Sequence, residues 1–294
     1  MMIWDNLGAE TMQLTDTGAA APTTPRAWLR ERATLPPTAW LFFGLLAASV
    51  AILVAAPWSA DAKFRAVVHG LCAQRPSHSY ALGGTNLPFD ARMTGIYGGV
   101  VTTVLLLLAR GRWRAINLPS RGILAALVGF VALMGADGVN STLQDFGLPY
   151  AYEPQNWLRL GTGLLMGVAL GGMLLYLLNM TLWAWVKPPR LIAGWGEVAA
   201  LLALGGGFGL LIASGWGWLY LPLSVALIGG AVFAVLTLAL TMLILCVGRE
   251  NRAHRATDVA GYASAALIIG YAIMALIAIG RWYLETALGI VLPV

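Results

Sequence analysis

The sequence predicts an all-α membrane protein, a polytopic bundle of about seven transmembrane helices with a cytoplasmic N-terminus and an external C-terminus. Of its 294 residues, 59% are hydrophobic and only 11% are charged, with a mean hydropathy of +0.76. A soluble domain carries about 25% charged residues, because its surface faces water. The apolar residues form long runs, and the basic residues fall mostly between these runs. Such runs form helices in lipid, because a helix satisfies its backbone hydrogen bonds within one segment.

The first 38 residues are typical of a disordered cytoplasmic tail. They contain acidic residues, a stretch rich in Ala, Pro and Thr, and a basic cluster near the end. A secretory signal needs an apolar core near the start, and this segment has none.

Seven apolar segments approach the length of about 20 residues that is needed to cross the hydrocarbon core of a bilayer. The second is short, and the sixth is long enough to be tilted. They divide the chain into a first span, a core of three spans with a long polar loop (59–186), and three further spans (187–294). We place the spans at residues 39–58, 94–109, 122–141, 157–185, 191–214, 219–247 and 259–280.

The distribution of Lys and Arg predicts the orientation. If the N-terminal tail is cytoplasmic, twelve basic residues lie inside and six lie outside, and this bias is the main sequence signal for topology. The sequence therefore predicts a multi-pass protein of the cell membrane that is embedded in the lipid bilayer. The net charge of +5 does not indicate a nucleic-acid partner, because the basic residues are spread over short loops.

Small residues predict one close helix contact. Gly163, Gly167 and Gly171 recur at every fourth position of span four and would lie on one face of the helix. Such a face lets a second helix approach closely, either within the chain or in a dimer.

Unusual polar residues collect at the predicted outer side, from the first outer loop, the end of span three and the start of span four. Asp137 lies about 22 Å along span three at a rise of 1.5 Å per residue, which places it in the outer part of the membrane. The candidate site residues are His69, Cys72, Arg75, His78, Asp90, Arg92, Tyr97, Asp137, Asn140, Asn156 and Arg159.

Asp137 has two interpretations. An ionisable group within a span costs about 2.5–3.5 kcal/mol on insertion scales, so it normally faces a partner or a water-filled cavity. In the first interpretation it forms a buried clamp with Arg92 or Arg159 that joins spans two, three and four. In the second it is a catalytic acid, base or proton carrier, with His69 and His78 as further catalytic candidates.

Arg75, Arg92 and Arg159 predict a cationic pocket that faces outward. The planar guanidinium group suits phosphate or carboxylate, so an anionic lipid headgroup or a lipid-linked phosphate is the expected ligand. The alternative is that these side chains extend toward headgroups without forming a site. The further ligand-binding candidates are Tyr97, Asn140 and Asn156.

Four motifs, LCAQRPSHS, LPFDARMTGIYGG, ADGVNSTLQ and NWLRLGTGLLMG, occur in this order within residues 67–178. This segment resembles an uncharacterised family of predicted prokaryotic membrane proteins, the domain of unknown function 2085. The resemblance implies a membrane-embedded helical core and supports the choice of polar residues. It implies no activity.

The chain departs from this family at positions that bear on metal binding. The family typically has a Cys-His pair in place of Cys72-Ala73 and further cysteines in place of Asp90 and Met93. A zinc site in this chain would draw on Cys72, His69, His78 and Asp90, a combination that zinc accepts without a recognised spacing. The alternative is that these loop residues bond to one another and to headgroups.

Three functions remain open at this level. The first is a binding protein or an accessory subunit of a membrane protein partner. The second is an enzyme, with zinc as a candidate cofactor, that acts on a lipid-linked substrate at the outer leaflet. The third is a transporter in which Asp137 titrates, although Glu197 and Asn179 are the only intramembrane polar groups that the sequence offers near the inner side.

Overall fold

A computed structural model describes residues 35–289, so nearly all of the predicted N-terminal tail lies outside the described residues. Seven of the helices in this part of the chain are long and apolar enough to cross a membrane, which confirms the predicted number of spans. The helices are α1 (Pro37–Ala55), α2 (Ala60–Val68), α3 (Ala91–Ala109), α4 (Arg121–Asp145), α5 (Asn156–Leu182), α6 (Trp195–Ala213), α7 (Tyr220–Val247) and α8 (Ala260–Leu288).

The helix bounds differ from the predicted spans at several ends. Helix α8 runs to Leu288 rather than to residue 280, and the connection between α5 and α6 is longer than predicted. Helix α5 ends at Leu182 rather than at residue 185, and α6 begins at Trp195 rather than at residue 191. The intervening residues include Pro188 and Pro189, which lack the N–H group that a helix interior needs. This connector instead forms a strand.

The strands are short and lie in connections between helices. Strands β1 (Ala81–Leu82) and β2 (Thr85–Asn86) pair antiparallel across a turn at Gly83 and Gly84, both with positive φ, which suits a tight hairpin. Strands β3 (Ala115–Asn117) and β4 (Lys187–Arg190) pair in parallel.

The spans alternate in direction, so the bundle has two ends that we name by one residue each. The Asp137 end carries α2, the β1–β2 hairpin and the first residues of α3 and α5. The Arg112 end carries β3, β4 and the connection between α7 and α8. The candidate residues described below lie mainly at the Asp137 end.

Glycines bring α3 and α5 into direct backbone contact. A Cβ atom at Gly167 would lie 2.7 Å from the Cα atom of Gly99, and one at Gly99 would lie 2.6 Å from the carbonyl oxygen of Leu164. Gly95 and Gly163 meet one turn closer to the Asp137 end. The glycine face predicted for span four therefore packs within the chain, and this contact fixes the position of α3 against α5.

Candidate functional site

Asp137 is buried among polar side chains between helices. Only 1% of the residue is exposed, and its Oδ2 atom accepts a hydrogen bond from Arg92 Nη2 at 2.7 Å. The hydroxyl group of Tyr152 donates to Oδ1 at 2.8 Å, and the hydroxyl oxygen of Thr162 lies 3.3 Å from Oδ2. Both carboxylate oxygens are therefore engaged, and the charge of Asp137 is compensated.

Arg92 completes a clamp between three spans. Its Nη2 group also contacts the backbone oxygen of Asp137 at 3.2 Å and Ser141 Oγ at 2.9 Å. Arg92 is on α3, Asp137 is on α4 and Thr162 is on α5. The ion pair matches the clamp that the sequence predicts with Arg92, whereas Arg159, the other candidate partner, does not pair with Asp137.

Asn140 holds the loop that covers Asp137. Its Oδ1 atom accepts hydrogen bonds from the backbone N–H groups of Ala151 at 2.8 Å and Tyr152 at 3.4 Å. Its Nδ2 group donates to the backbone carbonyl oxygen of Tyr152 at 2.8 Å. The sequence predicts a ligand-binding role for Asn140. In the structure it positions Tyr152 over the carboxylate instead of facing an open pocket.

Arg159 is a buried guanidinium group, with only 6% of the residue exposed. Its Nη1 group donates to Asn156 Oδ1 at 3.0 Å, and Asn156 Nδ2 donates to the backbone carbonyl oxygen of Ser77 at 3.1 Å. Within residues 35–289, no Asp or Glu lies within salt-bridge distance of Arg159. Asn156 therefore orients the guanidinium group of Arg159, and no carboxylate among these residues compensates its positive charge.

His78 and Arg75 lie in the loop above Arg159. Burial lowers the pKa of His78, and the nearby charges of Arg159 and Arg75 lower it further, so His78 is neutral at pH 7. Arg75 is more exposed and pairs with Asp145 at 2.7 Å. We call Arg75, His78, Asn156 and Arg159 the Arg159 site.

Cys72 and Asp90 lie together, but neither is oriented as a metal ligand. The Cys72 sulfur accepts hydrogen bonds from the backbone N–H groups of Gln74 at 3.4 Å and Asp90 at 3.2 Å. Burial raises the pKa of the Cys72 thiol to about 12, whereas zinc binds the thiolate. The Asp90 carboxylate caps α3 by accepting from the Met93 N–H group at 2.9 Å.

His69 faces the last helix instead of Cys72. Its Nε2 atom lies 3.7 Å from Glu285 Oε2. Arg281 pairs with the same glutamate and donates to the backbone oxygens of His69, Cys72 and Ala73. In the part of the chain that the structure describes, no three His, Cys, Asp or Glu side chains converge as metal ligands. The arrangement thus does not favour the zinc hypothesis, because the Cys72 sulfur, the Asp90 carboxylate and the His69 ring each have other partners.

Tyr97 is another candidate that lies outside the Arg159 site. Its ring packs on Phe89 with a centroid distance of 4.8 Å. Its backbone oxygen lies against Gly230 of α7. Tyr97 therefore joins α3 to the apolar core.

The buried Cys72 thiol gives a direct test of this arrangement. Because the chain has two cysteines, a Cys246→Ser variant leaves Cys72 as its single thiol. We expect a maleimide reagent to leave this thiol unmodified in mild detergent and to modify it fully in SDS, since the reactive species is the thiolate. Rapid modification of the folded variant, measured by mass spectrometry, would contradict the buried position of Cys72.

Polar residues at the Arg112 end are also paired. Glu197 forms an ion pair with Arg112 at 2.9 Å, and its other oxygen accepts from the Ala193 N–H group at 2.7 Å. Asn179 donates to the backbone oxygens of Arg112 and Ala115. Glu197 and Asn179, which a transport pathway would need at this end, thus hold the β3 connection against α5 and α6.

Sequence reasoning missed Tyr152, Thr162 and Arg281. Tyr152 is in the short connection between α4 and α5, which has to return over the end of α4 where Asp137 lies. Arg281 directly follows the predicted seventh span and precedes Glu285 by four residues, the spacing of a helical ion pair. These two signals are present in the sequence, whereas a threonine within a span gives none.

Residues 72–193 match the model of a family described as "Predicted membrane protein (DUF2085)". The matched segment contains α3, α4 and α5, and with them the Asp137 clamp and the Arg159 site. This match confirms the resemblance that the four motifs indicate for this segment. No curated protein and no solved structure matches the chain.

Proposed function

We propose that this multi-pass membrane protein binds the anionic group, phosphate or carboxylate, of a lipid or lipid-linked molecule at the Arg159 site. The observation that carries the proposal is which of the three arginines has a carboxylate partner. Arg92 and Arg75 each have a carboxylate partner, whereas Arg159 is more deeply buried than either and has none among residues 35–289.

A buried, uncompensated charge is costly, and an anionic ligand removes this cost. The planar guanidinium group binds phosphate or carboxylate with two parallel hydrogen bonds. Asn156 holds one edge of the Arg159 group and leaves the remaining donors for a ligand. His78 is neutral and can donate one further hydrogen bond without adding charge.

The depth of the site favours a lipid-like ligand. Arg159 lies in the first turn of the membrane-spanning helix α5, at the level where headgroups meet the hydrocarbon core. The connections at the Arg112 end are rich in Lys and Arg, so we propose that this end is cytoplasmic. The Arg159 site then faces outward, and its ligand comes from the outer leaflet.

The Asp137 clamp supports a binding role more than a catalytic or transport role. Both oxygens of Asp137 are occupied by protein donors. A proton carrier or a general base needs access to its substrate. We therefore propose that Asp137 and Arg92 form the rigid base on which Asn156 and Arg159 are held.

The test compares lipid binding by the wild type and by Arg159→Gln, both purified in mild detergent. We expect the affinity for dioleoylphosphatidic acid, measured by native mass spectrometry, to fall about tenfold or more in the variant. A hydrogen bond to a charged group contributes about 1.5–3 kcal/mol, and 1.4 kcal/mol corresponds to a factor of ten. Binding of phosphatidylcholine should differ little between the two proteins.

Matched variants separate the site from general charge effects. Arg121→Gln removes an exposed arginine at the opposite end of the bundle and should bind phosphatidic acid as the wild type does. Arg159→Lys keeps the charge but loses the planar group, so intermediate affinity is expected. Equal affinities in the wild type, Arg159→Gln and Arg159→Lys would overturn the proposal. Competition by inorganic phosphate at the same concentration would identify a free anion as the ligand.

A further inference from the structure

A second basic pocket lies at the Arg112 end, between the last turn of α7 and the beginning of α8. Its volume is about 260 Å³. Arg249 and Arg252 line one part of it, and the apolar side chains of Leu182, Ile244 and Val259 line another. The pocket is therefore amphipathic, and it is separated from the Arg159 site by the length of the bundle.

The backbone that carries the two arginines is held in place by the end of α5. The N–H group of Asn251 donates to the Thr181 oxygen at 2.9 Å, and that of Ala253 donates to the Leu182 oxygen at 3.0 Å. The chain turns into this segment through Gly248, which has a φ of 64°. Arg249 and Arg252 are thus exposed side chains that project from a segment with fixed backbone contacts.

The charge of the pocket is positive. Neither Arg249 nor Arg252 has a carboxylate within salt-bridge distance among residues 35–289. Asp258 also lines the pocket, but its Oδ2 atom accepts the backbone N–H groups of His254 at 2.9 Å and Arg255 at 2.8 Å. Two guanidinium groups therefore face the cavity with one carboxylate that already has partners.

We propose that this pocket binds the phosphate headgroup of an anionic phospholipid. The cavity lies at the ends of two membrane spans, where headgroups are found, and basic pockets between transmembrane helices are typical sites for such groups. Its volume is smaller than the ~300–1,000 Å³ of sites that enclose a drug-sized ligand. It therefore holds a phosphate and part of the glycerol, while the acyl chains remain in the bilayer.

The position of the pocket favours a phospholipid over free phosphate. Leu182, Ile244 and Val259 are only 6%, 3% and 7% exposed, so they form a closed wall behind the arginines and offer little surface to a ligand. The phosphate of either ligand would contact the arginines in the same way. An anionic phospholipid is kept at this level by its acyl chains in the bilayer, and this raises its effective concentration at the pocket.

The experiment measures retention of dioleoylphosphatidylglycerol and dioleoylphosphatidylcholine by native mass spectrometry. The test variant is Arg249→Gln/Arg252→Gln. The control, Arg121→Gln/Arg190→Gln, removes the same number of exposed arginines at the same end of the bundle. We expect phosphatidylglycerol affinity to fall roughly tenfold or more in the test variant and to change little in the control.

Three results would overturn the proposal. They are unchanged phosphatidylglycerol affinity in the test variant, an equal loss in the control, and displacement of the lipid by an equal concentration of inorganic phosphate. Each measurement is repeated in proteins that also carry Arg159→Gln. The comparison between test variant and control therefore remains valid even if the Arg159 site binds no lipid. If the double variant is not monodisperse in detergent, Arg252→Gln alone takes its place, with Arg190→Gln as the control.

Discussion

Replacing Gly167 with alanine is expected to destabilise the protein by about 2 kcal/mol. The added methyl group would lie against the backbone oxygen of Ile96 and 2.7 Å from the Cα atom of Gly99. Both neighbours are backbone atoms, so no side chain can move aside, and α3 and α5 must separate. Overpacking of this kind costs up to about 3 kcal/mol, while the better helix propensity of alanine returns about 1 kcal/mol.

A control on the same helix should show the opposite sign. A Cβ atom at Gly161 meets no atom within 4 Å, so Gly161→Ala gains helix propensity without a clash and should stabilise the protein by up to about 1 kcal/mol. Both variants can be compared with the wild type by size-exclusion chromatography after heating in mild detergent. Equal midpoint temperatures for the two variants would contradict the close contact of α3 with α5.

The spans and the glycine contact could be predicted because each is encoded within one segment of the chain. Hydropathy is a property of a segment and needs no knowledge of its neighbours. The fourfold spacing of Gly163, Gly167 and Gly171 likewise defines one helix face. The partner face on α3 could not be derived in this way, because Gly95 and Gly99 have the same spacing without indicating which helix they meet.

The polar contacts were predicted only in part, because the depth of a residue in the membrane does not determine the direction in which its side chain points. Residue counting places Arg92 and Arg159 near the depth of Asp137. Which arginine faces the carboxylate depends on how each helix is rotated in the bundle. The structure turns Arg92 toward Asp137 and Arg159 toward Asn156.

The zinc hypothesis drew on four residues of the first outer loop, and residues of one loop do not necessarily share a site. His69 and Cys72 are three residues apart, yet His69 lies against Glu285, which is more than 200 residues away in sequence. The Cys72 sulfur instead accepts the N–H group of Asp90. A contact made by the last helix carries no local signal at His69.

Replacing Asp137 with alanine is expected to have the largest effect, a loss of about 3–5 kcal/mol. The variant would leave Arg92 between α3 and α4 without its carboxylate partner, and the side chain of Arg92 is only 22% exposed. Asp145→Ala is the matched control, because Asp145 is an acid on the same helix that pairs with Arg75 at the surface. Exposed pairs of this kind contribute about 0–1 kcal/mol, so the control should unfold near the wild type in a denaturant titration in detergent.

A double variant separates a structural clamp from a requirement for the charge itself. Arg92→Met/Asp137→Leu replaces both members of the ion pair with apolar side chains of similar length. Buried ion pairs can often be replaced in this way without loss of stability. We therefore expect the double variant to recover most of the stability that Asp137→Ala loses and to retain phosphatidic acid binding, because Arg159 is unchanged. A stable double variant that no longer binds the lipid would contradict the purely structural role, since the Arg92–Asp137 pair would then contribute to lipid binding and not only to the fold.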